Sequence, residues 1–223
     1  FRSEIASSNT GNLQYSVDKK VKGDERLVER AGGRTFRITG GGFWQVHRKA
    51  PDILTTAVND AIAKAGFDKT ADNLDLYGGV GLFAGTIAAK FGVDSVITTV
   101  EAFKTATEDA KLNLADLPNV RAILAPTERF LDERVSSHVK NGSPETTATV
   151  ILDPPRAGAG AKVVGQVLAL KPKHIVYVAC DPVALARDLK PLTEGGYELA
   201  SLRAFDLFPH THHVEAVASL IRK

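Results

Sequence analysis

Cysteine is almost missing from this chain: among 223 residues only Cys180 carries a thiol. One thiol cannot close an intramolecular disulfide, so nothing points to an oxidising compartment. No apolar run approaches the roughly 18 residues of a membrane span, and no secretory signal is visible. A cytoplasmic address is therefore the expectation. Internal repeats are lacking too. The chain starts at Phe1 rather than at an initiator methionine, which reads as a piece of something longer, so missing sequence is not read as missing function.

What is present suits a globular fold. At 43% hydrophobic and 24% charged residues, the chain can bury a full core, and its length fits one domain with a smaller appendage. Charge is uneven: residues 1–50 hold ten Lys and Arg against five acids, a net of +5, whereas the remainder holds 18 against 21, a net of −3. A basic amino-terminal segment on a slightly acidic body suits a nucleic-acid contact, because phosphate neutralisation supplies most non-specific affinity. A solvated hairpin face would read the same on charge alone.

Residues 12–46 read as short antiparallel strands. Leu13-Gln14-Tyr15-Ser16-Val17 and Arg34-Thr35-Phe36-Arg37-Ile38 alternate in polarity, and Ala31-Gly32-Gly33 and Gly40-Gly41-Gly42 offer turn chemistry. From Asp52, a candidate cap, helices alternate with strands. Helices are expected at 52–65, 81–90, 102–114, 128–139, 161–169 and 182–189. Strands are expected at 73–76, 95–100, 120–124, 149–152, 174–178, about 197–205 and about 215–221. Lys140 to Thr146, rich in Asn, Gly, Ser and Pro, reads as a linker or tip. Such alternation implies an α/β fold, a mostly parallel twisted sheet with helices on both faces, preceded by a small antiparallel β segment. The expected division is 1–46 and 47–223.

Chemistry gathers where strands end. Cys180 follows the apolar run Ile175-Val176-Tyr177-Val178, and Pro182 opens the next helix. That places sulfur at the carboxyl edge of the sheet, where open α/β sheets bind ligands. The helix amino terminus would lower the thiol pKa and favour the thiolate. The plain alternative is a small buried hydrophobe.

The first strand of the alternating region runs into Asp75-Leu76-Tyr77-Gly78-Gly79-Val80-Gly81. Glycines such as Gly79 and Gly81 at a strand-to-helix turn let a ligand approach the backbone, and Glu101 at the next strand end can hold two ribose hydroxyls. Either a dinucleotide or S-adenosylmethionine suits this arrangement. A further strand ends in Asp153-Pro154-Pro155-Arg156. Its prolines make a rigid loop that holds the Asp153 carboxylate beside the crevice. Methyltransferases acting on nucleobases often place such an edge next to the methyl donor, whereas those acting on amino groups usually follow the prolines with an aromatic residue. Near the end, His210, His212 and His213 precede Glu215. Their spacing matches no zinc site, so no metal is expected. Glu215 opens an apolar strand and would have a raised pKa suited to a general base.

Four motifs in this order, Phe43-Trp44-Gln45-Val46-His47, the glycine turn with Glu101, Asp153-Pro154-Pro155-Arg156, and Cys180-Asp181-Pro182 with the His213-Val214-Glu215 ending, resemble the RNA 5-methyluridine methyltransferases. The resemblance runs from about Phe43 to the end. It implies a Rossmann-like class I methyltransferase fold, S-adenosylmethionine as cofactor, and methylation of uracil C5 in transfer or ribosomal RNA. By resemblance Cys180 is the nucleophile and Glu215 the base, while Gln45, Tyr77, Glu101 and Asp153 line the donor and uracil pocket. The partner is structured RNA with a flipped or unpaired uridine, and the expected form is a monomer. His47 stands where the family usually has Asn, Ala179 and Asp181 where Ser and Asn are common, and Gly78 where Cys is frequent. The oligonucleotide-binding barrel of many relatives and the four-cysteine cluster of some have no counterpart in this sequence; residues 1–42 read as the tail of a central β region.

The chemistry explains the residue types. Uracil C5 is a poor nucleophile, so a thiolate must add at C6 before C5 can take a methyl group, and a base must then remove the C5 proton. A methyltransferase for another base position or an amino group would not need Cys180. A non-catalytic RNA-binding paralogue and, last, a dehydrogenase are the remaining alternatives.

Overall fold

The computed structural model describes residues 2–7, 13–19, 26–141 and 147–223. Two antiparallel hairpins come first. Strand β1 (Arg2–Ser7) pairs with β2 (Leu13–Lys19), and β3 (Arg26–Ala31) pairs with β4 (Arg34–Thr39). Gly32 and Gly33 join β3 to β4 with φ of 54° and 78°. Two successive positive φ values make the two-residue turn whose twist matches the flanking strands. Strand β1 lies outside the stretch read as strands, and β3 falls within it without a run of its own; β3 is exposed at every residue but Ala31, so it has no apolar alternation to mark it.

The rest alternates as expected: α1 (Ala50–Ala65), β5 (Asn73–Leu76), α2 (Leu82–Phe91), β6 (Ile97–Glu101), α3 (Lys104–Asn113), β7 (Val120–Leu124), α4 (Thr127–Asn141), β8 (Thr149–Leu152), α5 (Gly160–Leu170), β9 (His174–Ala179), α6 (Pro182–Glu194), β10 (Tyr197–Phe205) and β11 (Glu215–Arg222). The expected tip at 140–146 begins inside the end of α4, and its residues 142–146 lie outside the described residues.

Seven strands form one sheet in the order β10-β11-β9-β8-β5-β6-β7. Strands β5 to β9 run parallel, and β11 is antiparallel to both of its neighbours. Every residue of β5, β8 and β9 is buried, as befits strands covered on both faces. On one face α1, α2 and α3 pack Leu54, Ile62, Phe83, Ile87 and Leu114 against Ile151, Val176 and Val178. On the other, α4, α5 and α6 pack Leu131, Val163, Val167 and Leu185 against Leu74, Val150 and Tyr177. The chain winds outward from β5 through β6 to β7, then returns to β8 on the far side of β5. The crevice at this switch point is where such folds bind ligands.

Two local expectations need correction. Asp52 does not cap α1: the cap position is Lys49, without a side-chain bond, and Asp52 Oδ1 instead accepts the Gly32 N–H at 2.9 Å. The helix expected to stop at Leu189 continues through Pro191 to Glu194. Pro191 forfeits one backbone hydrogen bond, but it sits in the last turns, and Leu192 behind it is fully buried and keeps the helix packed.

Candidate active site

The turn after β5 combines close packing with open space. Tyr77, Gly79 and Gly81 all have positive φ, at 63°, 54° and 87°. For Tyr77 this is a strained conformation of the kind that clusters at functional sites. A Cβ on Gly78 would lie 1.8 Å from Thr99 Oγ1, whereas one on Gly79 would meet nothing within 4 Å. The backbone is therefore jammed against β6 at one residue and bare at the next.

Glu101 braces that bare backbone. Its Oε2 accepts the Gly79 N–H at 3.0 Å and its Oε1 the Phe103 N–H at 2.8 Å. Beneath the turn, fully buried Asp75 accepts from Ala84 N–H and Thr99 Oγ1, each at 3.1 Å, through Oδ2, while Oδ1 has no partner among the described residues. Burial, aided by the charge of Glu101, lifts the Asp75 pKa to about 7.

Three more strand ends converge beside it. Asp153 continues β8, with its N–H donating to Leu76 O at 3.3 Å. Cys180 continues β9, and Glu215 opens β11. The last β9–β11 pair is Ala179 with Ala216, so Cys180 and Glu215 are the next residue on either strand. Burial pushes all three groups up. For Asp153 the charges of Glu215 and Asp75 add to the rise, and for Cys180 those of Glu215 and Asp153 do. Arg156 opposes the rise at both Cys180 and Glu215. The thiol expected to be depressed by the helix amino terminus is therefore raised, because desolvation and two facing carboxylates outweigh backbone dipoles. Asp181 does cap α6, accepting the Ala184 N–H at 2.7 Å, so the departure from Asn leaves the capping bond intact.

These groups line one cavity of about 1120 Å³. Gln45, Tyr77, Gly79, Glu101, Asp153, Cys180 and Glu215 all face it. Gly81 does not: a Cβ there would strike the Leu114 side chain at 2.7 Å, so this glycine serves packing. His47 is also outside the lining; its Nδ1 accepts the Lys49 N–H at 3.3 Å at the entry to α1. Sequence reasoning did not anticipate the lining residues Phe103, Thr127, Phe208 and His213 as a set. Phe208 and His213 stack edge to face at 5.8 Å, and their place just before Glu215 was the available signal. Among the described residues, no three His, Cys, Asp or Glu side chains are grouped to hold a metal, and no helix is long and apolar enough to cross a membrane.

Residues 35–223 match the family described as tRNA (uracil-5-)-methyltransferase. The chain belongs to that family. An uncharacterized RNA methyltransferase of Streptomyces avermitilis is 47% identical over 201 residues, covering 90% of this chain and 44% of that protein. One of Thermotoga maritima is 34% identical over 204 residues, again 44% of its length. The tRNA (uracil-54, C5)-methyltransferase of Pyrococcus abyssi, solved with S-adenosyl-L-homocysteine, superposes over 97% of this chain and 48% of that one, with a TM-score of 0.73 and 28% identity. The chain thus spans about half the length of the family members it matches. Its glycine turn, Asp-Pro-Pro-Arg edge and cysteine all lie within the matched family region.

Proposed function

We propose that this chain is the methyltransferase portion of an S-adenosylmethionine-dependent enzyme that methylates C5 of a uridine in transfer or ribosomal RNA. The observation that carries this reading is the meeting of a lone thiol and a buried carboxylate at the end of the β9–β11 ladder, inside the cavity that also holds the glycine turn. Residues 47–223 would form the catalytic unit and residues 1–46 the end of an RNA-contacting region. The net charge of +3 over residues 1–46, eight Lys and Arg against five acids, suits such a region.

The donor fits the residues present. The open backbone at Gly79 leaves room for its amino-acid end, Glu101 has lone pairs left for ribose hydroxyls, and Tyr77 and Gln45 stand beside them. When bound, S-adenosylmethionine supplies an electrophilic sulfonium methyl group. Phe43 and Phe103, 72% and 74% exposed yet lining the cavity, offer flat faces on which an extruded base and an adenine can stack.

Cys180 Sγ adds to uracil C6 while its proton passes to the Asp153 carboxylate, whose burial favours the protonated form, which leaves Glu215 free to act as the later base. The S–C6 bond forms as the C5–C6 π electrons move toward O4, and C5 becomes nucleophilic. After C5 has taken the methyl group, Glu215 removes the C5 proton. Those electrons re-form the C5–C6 double bond and expel the Cys180 thiolate. Asp153, once it has taken the thiol proton, can donate a hydrogen bond to the uracil edge and return that proton to the expelled thiolate.

Incubating the full-length protein with S-adenosylmethionine and 5-fluorouridine-substituted RNA tests this. Fluorine cannot leave as a proton, so the wild type should gain the mass of a methylated RNA adduct and Cys180→Ala should not. Donor and RNA binding without any adduct would overturn the C5 mechanism in favour of another methylation target or a binding protein.

A further inference from the structure

The two walls of the cavity come from distant parts of the chain. Phe43 to Val46 follow the β3–β4 hairpin, whereas Gly78 to Val80 follow β5. The last turn of α3 ties them together through Asn113, which is 5% exposed and does not line the cavity. Its Oδ1 accepts the Arg37 N–H at 2.7 Å, and its Nδ2 donates to Arg37 O at 3.0 Å and to Val80 O at 3.1 Å. One carboxamide therefore pairs with β4 as a neighbouring strand would, while its second N–H holds the carbonyl of Val80 within the glycine turn. Around this contact Val80 and Leu82 share a small core with Phe36 and Ile38.

One turn earlier, Asp109 makes a different tie. It accepts from Thr39 N–H at 2.6 Å, Thr39 Oγ1 at 2.9 Å and Arg26 Nε at 3.1 Å. Among the described residues, all of its side-chain bonds go to the hairpin. Asp109 thus anchors the hairpin to α3, and Asn113 alone of the two also grips the glycine turn.

We propose that Asn113 is a positioning residue that sets the glycine turn against the hairpin-borne wall, so that donor affinity depends on a side chain touching neither donor nor RNA. This rests on the reading of the cavity as the donor site. The demand is chemically narrow: one acceptor and two donors must meet three backbone groups in a dry space. Aspartate would set a carboxylate oxygen against two carbonyl oxygens, and a hydrocarbon would leave three backbone groups without partners.

The test uses the full-length protein with Asn113→Asp, Asn113→Ser and Asp109→Ala. Affinity for S-adenosylhomocysteine is measured by calorimetry at a fixed interval below each variant's thermal midpoint, and amide exchange is followed in the peptide spanning 76–84. The Asn113 variants should bind about tenfold more weakly, the worth of one hydrogen bond, with faster exchange in that peptide and a raised KM for S-adenosylmethionine at little cost in kcat. Asp109→Ala should lower the midpoint at least as far yet bind within about twofold of wild type. If both folded Asn113 variants keep wild-type affinity, or if affinity in all three variants simply follows the midpoint, the positioning role is overturned. A wild type that binds no S-adenosylhomocysteine would instead sink the donor-site reading itself. Asn113→Ser, smaller and able to admit water, decides the matter if the aspartate variant does not fold.

Discussion

Cys180 and Glu215 face each other just past the last pair of the β9–β11 ladder, where Ala179 meets Ala216. Residues opposite one another on antiparallel strands have Cα atoms about 5 Å apart, so a planar ring seated over this ladder end can meet sulfur on one side and carboxylate on the other. The two groups have separable tasks, and separable failures follow. Cys180→Ala should abolish both adduct and product. Glu215→Gln should still form and methylate the adduct but fail to release it, lowering turnover by about 10² to 10⁴. Denaturing electrophoresis with unsubstituted RNA reads this directly, as a protein–RNA band that accumulates with Glu215→Gln. Near-normal turnover in that variant would assign the proton to another group, with Asp153 the adjacent choice.

Arg156 is the cation that pulls both groups back toward ionisation. Its removal should raise the thiol further, so Cys180 in Arg156→Ala should be alkylated more slowly at a given pH, with the rate profile displaced to higher pH. Arg156 is exposed, so screening should weaken its effect. High salt should move the wild-type profile toward that of the variant. Peptide mapping of iodoacetamide-treated protein gives the rates, and coincident profiles at low salt would remove Arg156 from the electrostatics of the site.

The contact between Gly78 and Thr99 makes a structural prediction. A Cβ at 78 would overlap Thr99 Oγ1, the hydroxyl that also holds Asp75. Gly78→Ala should therefore destabilise the protein by about 1–3 kcal/mol, the usual cost of overpacking. Thr99→Ala alone should cost about 1 kcal/mol for its hydrogen bond. The double variant should be more stable than the sum of the two losses predicts, because the second change vacates the space the first requires. Chemical denaturation of the four proteins closes the cycle, and strict additivity would contradict the packing.

The fold was readable where local signals agree. Asn73–Leu76, Val120–Leu124 and Thr149–Leu152 are short apolar-rich runs bounded by turn residues, and each forms the strand expected. The switch point follows from their order, and with it the gathering of the Asp75, Asp153 and Cys180 motifs on one edge. Signals that depend on tertiary approach were hidden. The exposed strand β3 has no alternation, Asp52 prefers the Gly32 amide to its own helix, and the thiol is raised by burial and then by Glu215 and Asp153, both far from it in sequence. The nearby helix terminus favours the thiolate, but burial and the two distant carboxylates, which only the folded chain brings to bear, outweigh it.

Asp75 carries a stability consequence with a definite sign. Its pKa rises from 3.8 to about 7 in the folded protein because burial disfavours the charge. Between these values the unfolded chain has released the proton that the folded protein retains, so this group lowers stability as pH climbs from about 4 to 7 and is level above that. A shift of this size corresponds to a few kcal/mol at most, on the order of 1.4 kcal/mol per unit. The substitution Asp75→Asn installs a permanent stand-in for the neutral acid: the amide oxygen can accept from Ala84 N–H and Thr99 Oγ1, and the amide nitrogen takes the place of the unpartnered Oδ1. The variant should come nearest the wild type at about pH 4, gain on it as pH rises, and exceed it at pH 8 by several degrees in thermal midpoint, at about 2–4 °C per kcal/mol for a domain of this size. Midpoints measured across pH 4 to 9 check this. A wild type whose advantage over the variant grows with pH would mean that Asp75 is held as a carboxylate.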